Sequence, residues 1–479
     1  MAVSDYTAGP QRTAWASSGL TPGLLVVAAC AGAAVCGMAL AYDLKFGLAA
    51  LAGLTFGPLA FINLSLATVL WLPTVSLIAV TALGFGPNLA AITIAFAWLG
   101  AFGARGSRIP ALLAEHRSVL LTVAALIFWT MLSLSWAEVP RVGTFQFFGW
   151  LAAGAIVLVI ATVLTDARYL RMAVGALVAG VVLSVVIGLV GDAVQEESER
   201  LVGGSGDPNF LAAGIVPAIM LSVGLAASTG SVAVRLMTGA AIIVLTIGLL
   251  TTGSRGGLLA AVVALIAVLF LAKRQRALVI SLILLTLGIG AASISLDPAT
   301  GERITDFGEN TGRTELWTVA WQMFEDNPII GVGLQGFPDQ ASQYVRELGS
   351  LEFSEFLVEQ PKVVHNSFLE VLVETGIVGL ILFLTVIAIC IRKAWIAARE
   401  FEDQGDLRMA TLSRSAVAAM LAMLTADFFV SAATDRRLWV LLALGPALAG
   451  CAALRTGYGP GVRGEPVRPA AVRPTLPRA

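Results

Sequence analysis

Long, nearly unbroken runs of apolar residues constrain the fold of this chain more than any other feature of its sequence. Hydrocarbon offers the backbone no hydrogen-bond partners, so a chain crosses a membrane as helices or as a closed barrel. A barrel would show short segments of alternating hydrophobicity, whereas the runs here are continuous. With 57% hydrophobic and 13% charged residues, the composition excludes an ordinary soluble domain. The sequence therefore predicts an all-α polytopic membrane protein.

Runs of about 17–25 apolar residues predict membrane-spanning helices. Pro58 and Pro73 interrupt two neighbouring runs, which predict either two helices or one broken span. The sequence accordingly predicts about 12–14 transmembrane helices. The predicted spans are 22–42, 46–62, 64–83, 88–104, 118–136, 144–164, 169–191, 209–228, 233–250, 256–272, 277–295, 372–392, 414–433 and 437–454.

The loops on the two sides of the membrane differ in charge. Most of the Lys and Arg residues fall in loops, or in the C-terminal tail, that the helix count places on one side. Cytoplasmic loops are enriched in Lys and Arg, so this side is predicted to face the cytoplasm. The opposite side carries many of the acidic residues and three polar regions, which are 192–208, Thr251–Gly257 and 296–371.

These assignments divide the chain into five parts, of which one is a long loop on the outer side. The parts are a cytoplasmic N-terminal segment (1–21), a transmembrane helix bundle (22–295), an extracytoplasmic loop domain (296–371), C-terminal transmembrane helices (372–454) and a disordered cytoplasmic tail (455–479). In the loop, Leu316 and Met323 belong to a helical pattern that ends before Pro328. A second helix is predicted from Pro338 to about Leu348, and the two would form an amphipathic cap on the outer membrane surface.

The first polar motif, Thr252–Gly257, lies at the outer end of a predicted helix. Its Arg255 lies near hydrocarbon, where a charged side chain at mid-membrane costs roughly 2.5–3.5 kcal/mol. The glycines leave backbone N–H groups accessible, and a guanidinium binds phosphate through parallel hydrogen bonds. The motif therefore predicts phosphate binding, with Ser254 as a supporting candidate. The alternative is an interfacial arginine that reaches lipid headgroups.

The second motif, Gly312–Trp317, places Arg313 at a predicted helix start. The helix dipole disfavours a cation at this position. This misfit indicates an anionic ligand near Arg313. The alternative is a surface ion pair between Arg313 and Glu309 or Glu315, which would carry no functional meaning.

The third motif contains His365, one of two histidines in the chain. The other, His116, lies in a basic loop on the predicted cytoplasmic side. Asn366 is predicted to cap the helix that begins here, which would hold His365 at the helix mouth. An imidazole near its ordinary pKa of about 6.5 accepts a proton from a substrate hydroxyl at neutral pH. Glu370 is a supporting candidate, and the alternative is a surface histidine without chemistry.

Two aspartates lie close to predicted helix ends on the outer side. Asp207 or Asn209 is predicted to cap a helix that has Pro208 in its first turn. Both residues are also candidates for binding the donor or the acceptor of a group-transfer reaction. Asp427 lies within an apolar run, where an acid predicts a functional role. Partial exposure of Asp427 at the membrane interface is the alternative.

The segment Gly331–Gly336 matches the G-x-G-x-x-G pattern of dinucleotide-binding βαβ units. The surrounding chain predicts no such unit, so the pattern predicts a turn between two surface helices. The sequence contains no Walker motif, zinc-protease motif, nucleophile elbow or paired metal ligands. It therefore predicts catalysis without a metal or other cofactor, and no nucleic-acid partner.

Six short motifs follow one another along the second half of the chain. They are Gly206–Asn209, Gly253–Gly257, Gly312–Trp317, Asn327–Gly333, His365–Asn366 and Glu374–Gly379. Taken in order, they resemble the motifs of the O-antigen ligase and polymerase family. Their order and spacing over roughly residues 200–392 carry this resemblance, and the rest of the chain matches only as a many-helix membrane protein.

The resemblance implies a membrane glycosyltransferase that moves a glycan from a polyprenyl-diphosphate carrier to an acceptor hydroxyl outside the cytoplasm. It implies that Arg255 and Arg313 bind the diphosphate, that His365 activates the acceptor, and that no metal is required. Attack opposite the leaving group would invert the anomeric centre. The expected location is the bacterial inner membrane, among membrane lipids, with the active site facing the periplasm or the cell exterior.

The resemblance leaves the acceptor open. Ligation to a lipid, polymerisation of a glycan and transfer to a protein would use the same residues, so the acceptor is a glycan, a lipid or a protein. The alternative class is a secondary transporter or flippase of lipid-linked or small anionic substrates. Transporters tend to have broken helices and polar residues near mid-membrane. The polar residues here concentrate in outer loops, which favours the enzyme.

Overall fold

The computed structural model describes residues 34, 38, 41, 44–77, 86–191, 194–195, 200–271, 312–348 and 363–455. The predicted spans 22–42 and 277–295 lie largely or wholly outside these residues, as does the predicted tail 455–479. The total of twelve to fourteen spans therefore stays a prediction.

The described residues are almost entirely helical, which confirms the predicted all-α fold. The helices are α1 (Leu44–Ile62), α2 (Leu64–Trp71), α3 (Gly86–Gly103), α4 (Ile109–Glu115), α5 (Arg117–Ser133), α6 (Pro140–Val163), α7 (Ala167–Val190), α8 (Pro208–Ser228), α9 (Val232–Thr251), α10 (Arg255–Leu271), α11 (Arg313–Asp326), α12 (Gly336–Leu348), α13 (Ser367–Asp403), α14 (Leu407–Asp427) and α15 (Arg436–Arg455). Two short antiparallel strands, β1 (Val194–Gln195) and β2 (Arg200–Leu201), pair with each other.

Among these helices, eight are long and apolar enough to cross a membrane, or nine if the bent pair α4 and α5 forms one span. The eight are α3, α6, α7, α8, α9, α13, α14 and α15. A polytopic membrane protein is thus confirmed. Helix α13, at 37 residues, is longer than one crossing requires. It begins at Ser367, ahead of the start predicted at residue 372.

Two further predicted spans differ from the helices of the structure. Residues 64–76 of the span predicted at 64–83 form the short helix α2 and a 3₁₀ turn at Leu72–Ser76, and residues 78–83 lie outside the described residues. Pro73 lies in this turn, where its ring and missing N–H disfavour a continued α-helix. The span predicted at 414–433 is α14, which begins at Leu407 and ends at Asp427. The apolar residues that follow Asp427 leave the helix and pack against other motifs.

The core of the bundle is formed by α8, α14 and α15. The membrane-length windows of these helices are 83%, 72% and 89% buried, whereas those of α3 and α9 are 11% and 28% buried. A helix that is apolar on all sides is expected in the interior of a membrane protein. Close approach is possible because the facing residues are small: a Cβ added to Gly224 of α8 would lie 2.5 Å from Cβ of Ser415 on α14.

One end of the bundle holds all the polar motifs, and we call it the motif end. Helices α8, α10, α13 and α15 begin there, and α9 and α14 end there. Ion pairs between Arg414 and Glu402 and between Arg455 and Asp406 lie at the opposite end. This arrangement agrees with the predicted separation of basic loops from polar motifs, while the cytoplasmic assignment of the basic end remains a prediction.

The two helices predicted within the 296–371 loop are confirmed as α11 and α12. Their apolar faces meet in a small cluster that includes Leu316, Met323 and Phe337, all at most 1% exposed. The same cluster contains Val373 of α13. The cap is therefore joined to the bundle through a shared apolar core, and its placement on the outer membrane surface remains a prediction.

Candidate active site

The first motif forms the turn between α9 and α10. Gly253 adopts φ +57°, a left-handed conformation that glycine tolerates without a steric penalty. Ser254 precedes α10, and its hydroxyl accepts a 3.2 Å hydrogen bond from the N–H of Gly257. The same hydroxyl donates a 2.9 Å hydrogen bond to Oδ1 of Asn209. Arg255 is thus the first residue of a capped helix that is tied to the start of α8.

The start of α8 is capped as the sequence predicts. The Asp207 carboxylate accepts hydrogen bonds of 2.8 and 2.9 Å from the N–H groups of Asn209 and Phe210. Pro208 occupies the first helical position, where its missing N–H is not needed. Of the two predicted caps, Asp207 is therefore the residue that performs this role, and Asn209 is left to bond neighbouring motifs.

Arg200, on β2, joins these two motifs. Its Nε donates a 2.7 Å hydrogen bond to the carbonyl of Thr252, and its Nη2 donates a 3.1 Å hydrogen bond to Oδ1 of Asn209. Sequence reasoning missed Arg200, because nothing in its local pattern marks it. The position of Arg200 beside the first motif and the start of α8 follows only from the packing of β2 against the α9–α10 turn.

Arg313 begins α11, and two other arginines act on its charge. Burial, followed by the positive charge of Arg255 and then that of Arg200, lowers the pKa of the Arg313 guanidinium. The carboxylate of Asp207 acts in the opposite direction. The structure gives Arg313 no hydrogen bond or ion pair with any described residue, so the predicted pair with Glu315 is not formed. Glu309 lies outside the described residues.

The three arginines come from separate elements, and the charges of Arg255 and Arg200 both act on Arg313. A guanidinium remains charged in proteins, so these like charges repel that of Arg313 at neutral pH. The role of Arg255 and Arg313 in binding an anion stays a prediction.

His365 is held in an uncommon backbone conformation at the mouth of α13. Its φ of +53° lies in the left-handed region, which is rarely populated by residues other than glycine. Its N–H donates a 3.0 Å hydrogen bond to the hydroxyl of Ser431. Asn366 caps α13 as predicted, because its Oδ1 accepts from the N–H groups of Phe368 and Leu369 at 3.0 and 3.1 Å. Strain of this kind is concentrated at functional sites.

The segment Phe428–Ala432, which follows α14, contacts all three motifs. Phe428 makes an edge-to-face contact with Trp317, with ring centroids 5.7 Å apart. Phe429 packs so closely on Gly256 that an added Cβ there would lie 3.0 Å from it. Sequence reasoning assigned this segment to a membrane helix and therefore missed its role as the common support.

Trp317 connects the second motif to the third. It lies one helical turn after Arg313, so the two side chains share a face of α11. Its Nε1 donates a 3.1 Å hydrogen bond to the carbonyl of Val364, the residue before His365. The helix that carries Arg313 is thus fixed directly against the backbone that carries His365.

The glycine-rich segment Gly331–Gly336 links α11 to α12, as predicted. This turn packs on a break in α13. Gly376 has φ +67° and ψ −173°, which interrupts the helical hydrogen bonds. The N–H groups of Val332 and Gly333 donate 2.9 Å hydrogen bonds to the carbonyls of Val373 and Glu374. The turn between α11 and α12 therefore donates hydrogen bonds to the carbonyls that the break in α13 leaves without a helical partner.

Glu370 and Glu374 lie on the buried face of α13, with 8% and 2% exposure. The carboxyl of Glu370 lies near the hydroxyl of Ser431, which accepts the hydrogen bond from the N–H of His365. Glu374 accepts a 2.9 Å hydrogen bond from Nε2 of Gln146 on α6. Both carboxyls are therefore buried in the bundle, and the supporting role of Glu370 stays a prediction.

Asp427 is fully buried at the end of α14, so the partial exposure considered from the sequence is wrong. Within the described part of the chain, neither of its carboxyl oxygens has a hydrogen-bond partner. Its charged neighbours are Asp435 and Arg437, which form a buried ion pair with each other. Arg437 also donates a 2.6 Å hydrogen bond to the carbonyl of Phe210 on α8. This pair fixes the start of α15 to the start of α8.

Comparison with known proteins identifies the motif region. Residues 240–384 match the family described as O-antigen ligase. The exopolysaccharide production protein ExoQ of Rhizobium meliloti (strain 1021) is 32% identical over 105 residues, which covers 20% of this chain and 23% of that relative. The chain thus matches less than a quarter of the length of this relative.

The family match spans Arg255, Arg313 and His365, whereas Arg200 and Ser431 lie outside it. The resemblance drawn from the order of the six motifs is therefore confirmed over the part of the chain that carries most of them. Residues 240–384 of this chain are thus similar to the O-antigen ligase family.

Proposed function

We propose that this protein transfers a glycan from a polyprenyl-diphosphate carrier to an acceptor hydroxyl at the motif end, on the non-cytoplasmic side of the membrane. The observation that carries the proposal is the convergence of Arg255 and Arg313 beside a histidine held at a helix mouth. The match of residues 240–384 to the family described as O-antigen ligase supports glycan transfer in general, and the donor and the mechanism are inferred from the residues.

In this scheme the diphosphate binds between Arg255 and Arg313. Negative charge grows on the diphosphate as the bond to the anomeric carbon breaks. Fixed cations that face the growing charge lower the barrier, and such electrostatic terms are usually the largest in catalysis. Because both arginines begin helices that are tied to the bundle, little reorganisation is needed as the reaction proceeds.

His365 acts as the general base. The imidazole takes the proton of the acceptor hydroxyl while the acceptor oxygen forms its bond to the anomeric carbon and the lipid diphosphate departs. Attack from the face opposite the leaving group inverts the anomeric centre. The backbone bond from His365 to Ser431 and the Asn366 cap hold the backbone that carries the imidazole.

The test compares three site variants with two control variants in cells whose surface glycan depends on this protein. Arg255→Ala, Arg313→Ala and His365→Ala are each expected to reduce transfer by about 100-fold or more. Arg235→Ala changes an exposed arginine of α9 at the opposite end, and His116→Asn changes the other histidine. Both control variants are expected to keep normal transfer. Product is measured by gel mobility and protein level by immunoblotting.

Full transfer by all three site variants at normal protein levels would contradict the scheme. The transporter alternative is separated by the purified protein in vesicles, with donor and acceptor on the side of the motif end. Formation of a glycosidic bond supports the enzyme. Movement of labelled lipid across the bilayer without any product would support a transporter.

A further inference from the structure

We propose that the connection between α11 and α12 enters the lipid bilayer at the motif end, where the side chains of Ile329 and Ile330 contact lipid acyl chains. Both isoleucines are exposed, at 63% and 40%, although the connection packs directly on the membrane-spanning helix α13. Lipid contact at this surface does not depend on the proposed glycan transfer.

The connection is fixed to α13 by backbone contacts. The N–H of Ile377 donates a 3.0 Å hydrogen bond to the carbonyl of Pro328. A Cβ added to Gly376 would lie 2.1 Å from the carbonyl oxygen of Ile329 and 2.6 Å from the backbone nitrogen of Ile330. The two isoleucines therefore lie at the level of Gly376 along α13, and the depth of α13 in the membrane sets their depth as well.

The uncharged stretch of α13 is only just long enough to cross a membrane. A crossing needs about 20 apolar residues, and the stretch between Glu374 and Arg392 has fewer. Almost the whole stretch is therefore needed for the crossing. This places Gly376 and Ile377 within the hydrocarbon layer, near its edge at the motif end, and the connection that packs on them lies at the same depth.

An exposed apolar stripe begins on α13 at this level. Ile377, Ile381 and Leu384 are exposed and follow one another at helical spacing, so they share one face of the helix. In a membrane-spanning helix, an apolar face that the rest of the protein leaves uncovered lies against lipid. Ile329 and Ile330 adjoin the first residue of this stripe, so the apolar surface continues from the span onto the connection.

The end of α11 indicates where the hydrocarbon layer stops. Glu325 and Asp326 are exposed acids, which require water or the headgroup region. Trp321 is also exposed, and its Nε1 donates a 2.7 Å hydrogen bond to Oε1 of Glu325. Tryptophan is enriched where membrane and water meet. The boundary therefore falls between Asp326 and Ile329.

Backbone outside a helix enters a membrane only where its polar groups have protein partners. The N–H of Gly331 donates a 3.0 Å hydrogen bond to the carbonyl of Asn327, and the N–H groups of Val332 and Gly333 bond carbonyls of α13 at 2.9 Å. The connection thus satisfies this condition on the side that faces α13, while it presents isoleucines on its exposed side.

Three other surroundings are possible for the two isoleucines, namely water, a second copy of this chain and another segment of the same chain. The experiment separates them from lipid by a signal that only lipid can give. It uses the full chain in lipid nanodiscs that hold one copy each. Ile329→Cys and Ile330→Cys are labelled with a thiol-reactive bimane, whose fluorescence is quenched on contact with bromine on the lipid acyl chains.

Two control positions bracket the expected result. Leu384→Cys lies on the exposed stripe of α13, and Thr318→Cys is an exposed change on α11 away from the connection. The unaltered chain, labelled in the same way, gives the background from the native cysteines. Thermal unfolding of each labelled variant should give the Tm of the unaltered chain, because all four changes replace exposed side chains.

Leu384 lies about 12 Å further along α13 than Gly376. Bromine close to the headgroups is therefore expected to quench the label at Ile329→Cys and Ile330→Cys, and bromine at the chain ends is expected to quench the label at Leu384→Cys. Thr318→Cys should lose no fluorescence with either lipid.

The proposal is overturned if both isoleucine positions respond to the brominated lipids no more than Thr318→Cys does, while Leu384→Cys is quenched. Water, a second copy or another segment of the chain would give that result, since none of them carries bromine. A protein that is quenched at both isoleucine positions but transfers no glycan would contradict only the proposed function.

Discussion

The backbone N–H of His365 donates a 3.0 Å hydrogen bond to the hydroxyl of Ser431, a residue 66 positions further along the chain. Ser431 belongs to the segment Phe428–Ala432, whose other members contact Trp317 and Gly256. The position of the proposed base thus depends on a segment that contributes no reactive group of its own.

Ser431→Ala is expected to slow transfer by about tenfold, because the left-handed backbone at His365 loses its hydroxyl acceptor. Ser431→Thr keeps a hydroxyl and should restore part of the rate. The measurement is the initial rate of glycan transfer by purified protein across a pH series. Ser222→Ala is the control, since the Ser222 hydroxyl bonds the carbonyl of Ala218 in its own helix at 2.7 Å. Equal rates for Ser431→Ala and the control would contradict this positioning role.

Gly376→Ala is expected to destabilise the protein by about 3 kcal/mol or more, through both strain and overlap. Its φ is +67°, and an added Cβ would lie 2.1 Å from the carbonyl oxygen of Ile329, in the connection between α11 and α12. Gly405→Ala is a matched control, because Gly405 has φ +77° and no atom within 4 Å of an added Cβ. It should lose only about 1–2 kcal/mol, the cost of left-handed strain.

The measurement for this glycine pair is thermal unfolding in detergent. If Gly376→Ala loses no more stability than Gly405→Ala, the connection between α11 and α12 adjusts freely to an added methyl group. In that case the contact between the cap and the break in α13 would not be rigid.

Arg437→Ala is expected to cost about 3–5 kcal/mol of stability, because it leaves buried acidic groups without their cation. The side chains of Arg437 and Asp435 are only 6% and 3% exposed. Arg455→Ala breaks the ion pair with Asp406, whose side chains are 39% and 29% exposed. Solvent screens that pair, so its loss should cost at most about 1 kcal/mol. Chemical unfolding of the purified protein compares the two, and similar losses would contradict the argument from burial.

The environment of Asp406 predicts that the free energy of unfolding changes with pH. Burial opposes its ionisation, but the N–H of Met409 and the guanidinium of Arg455 together lower the pKa of Asp406 below its ordinary value of 3.8. A depressed folded-state pKa contributes stability that is fully present above the unfolded pKa and is lost as pH falls through the folded pKa. The contribution should therefore be constant near neutral pH and disappear below the ordinary value.

Asp406→Asn tests this dependence, because asparagine still caps α14 but carries no charge. The difference in Tm between the original protein and Asp406→Asn should be largest near pH 7 and should shrink as the pH falls below about 4. A difference that stays constant over this range would show that the charge of Asp406 does not contribute to stability.

Local chemistry explains what could be predicted at single residues. The caps of α8 and α13 follow from aspartate and asparagine placed before apolar helical patterns, and each needs only two or three neighbouring residues. The cap helices α11 and α12 were predictable for the same reason, since their periodicity and Pro328 are local signals. The assignment of Arg255, Arg313 and His365 to one site rested on family motifs.

The sequence by itself determined the class of fold, because long apolar runs leave a membrane chain only helices here, and it determined the helix caps. Only the tertiary structure decided that Arg200 joins Thr252 and Asn209, that residues 428–432 leave the helix, and that Asp427 is fully buried. Capping and periodicity act over a few residues, whereas these contacts depend on how distant helices pack. The mostly apolar residues 428–432 have the same local pattern as a membrane-spanning helix. Only their packing against the other motifs shows that they lie outside α14.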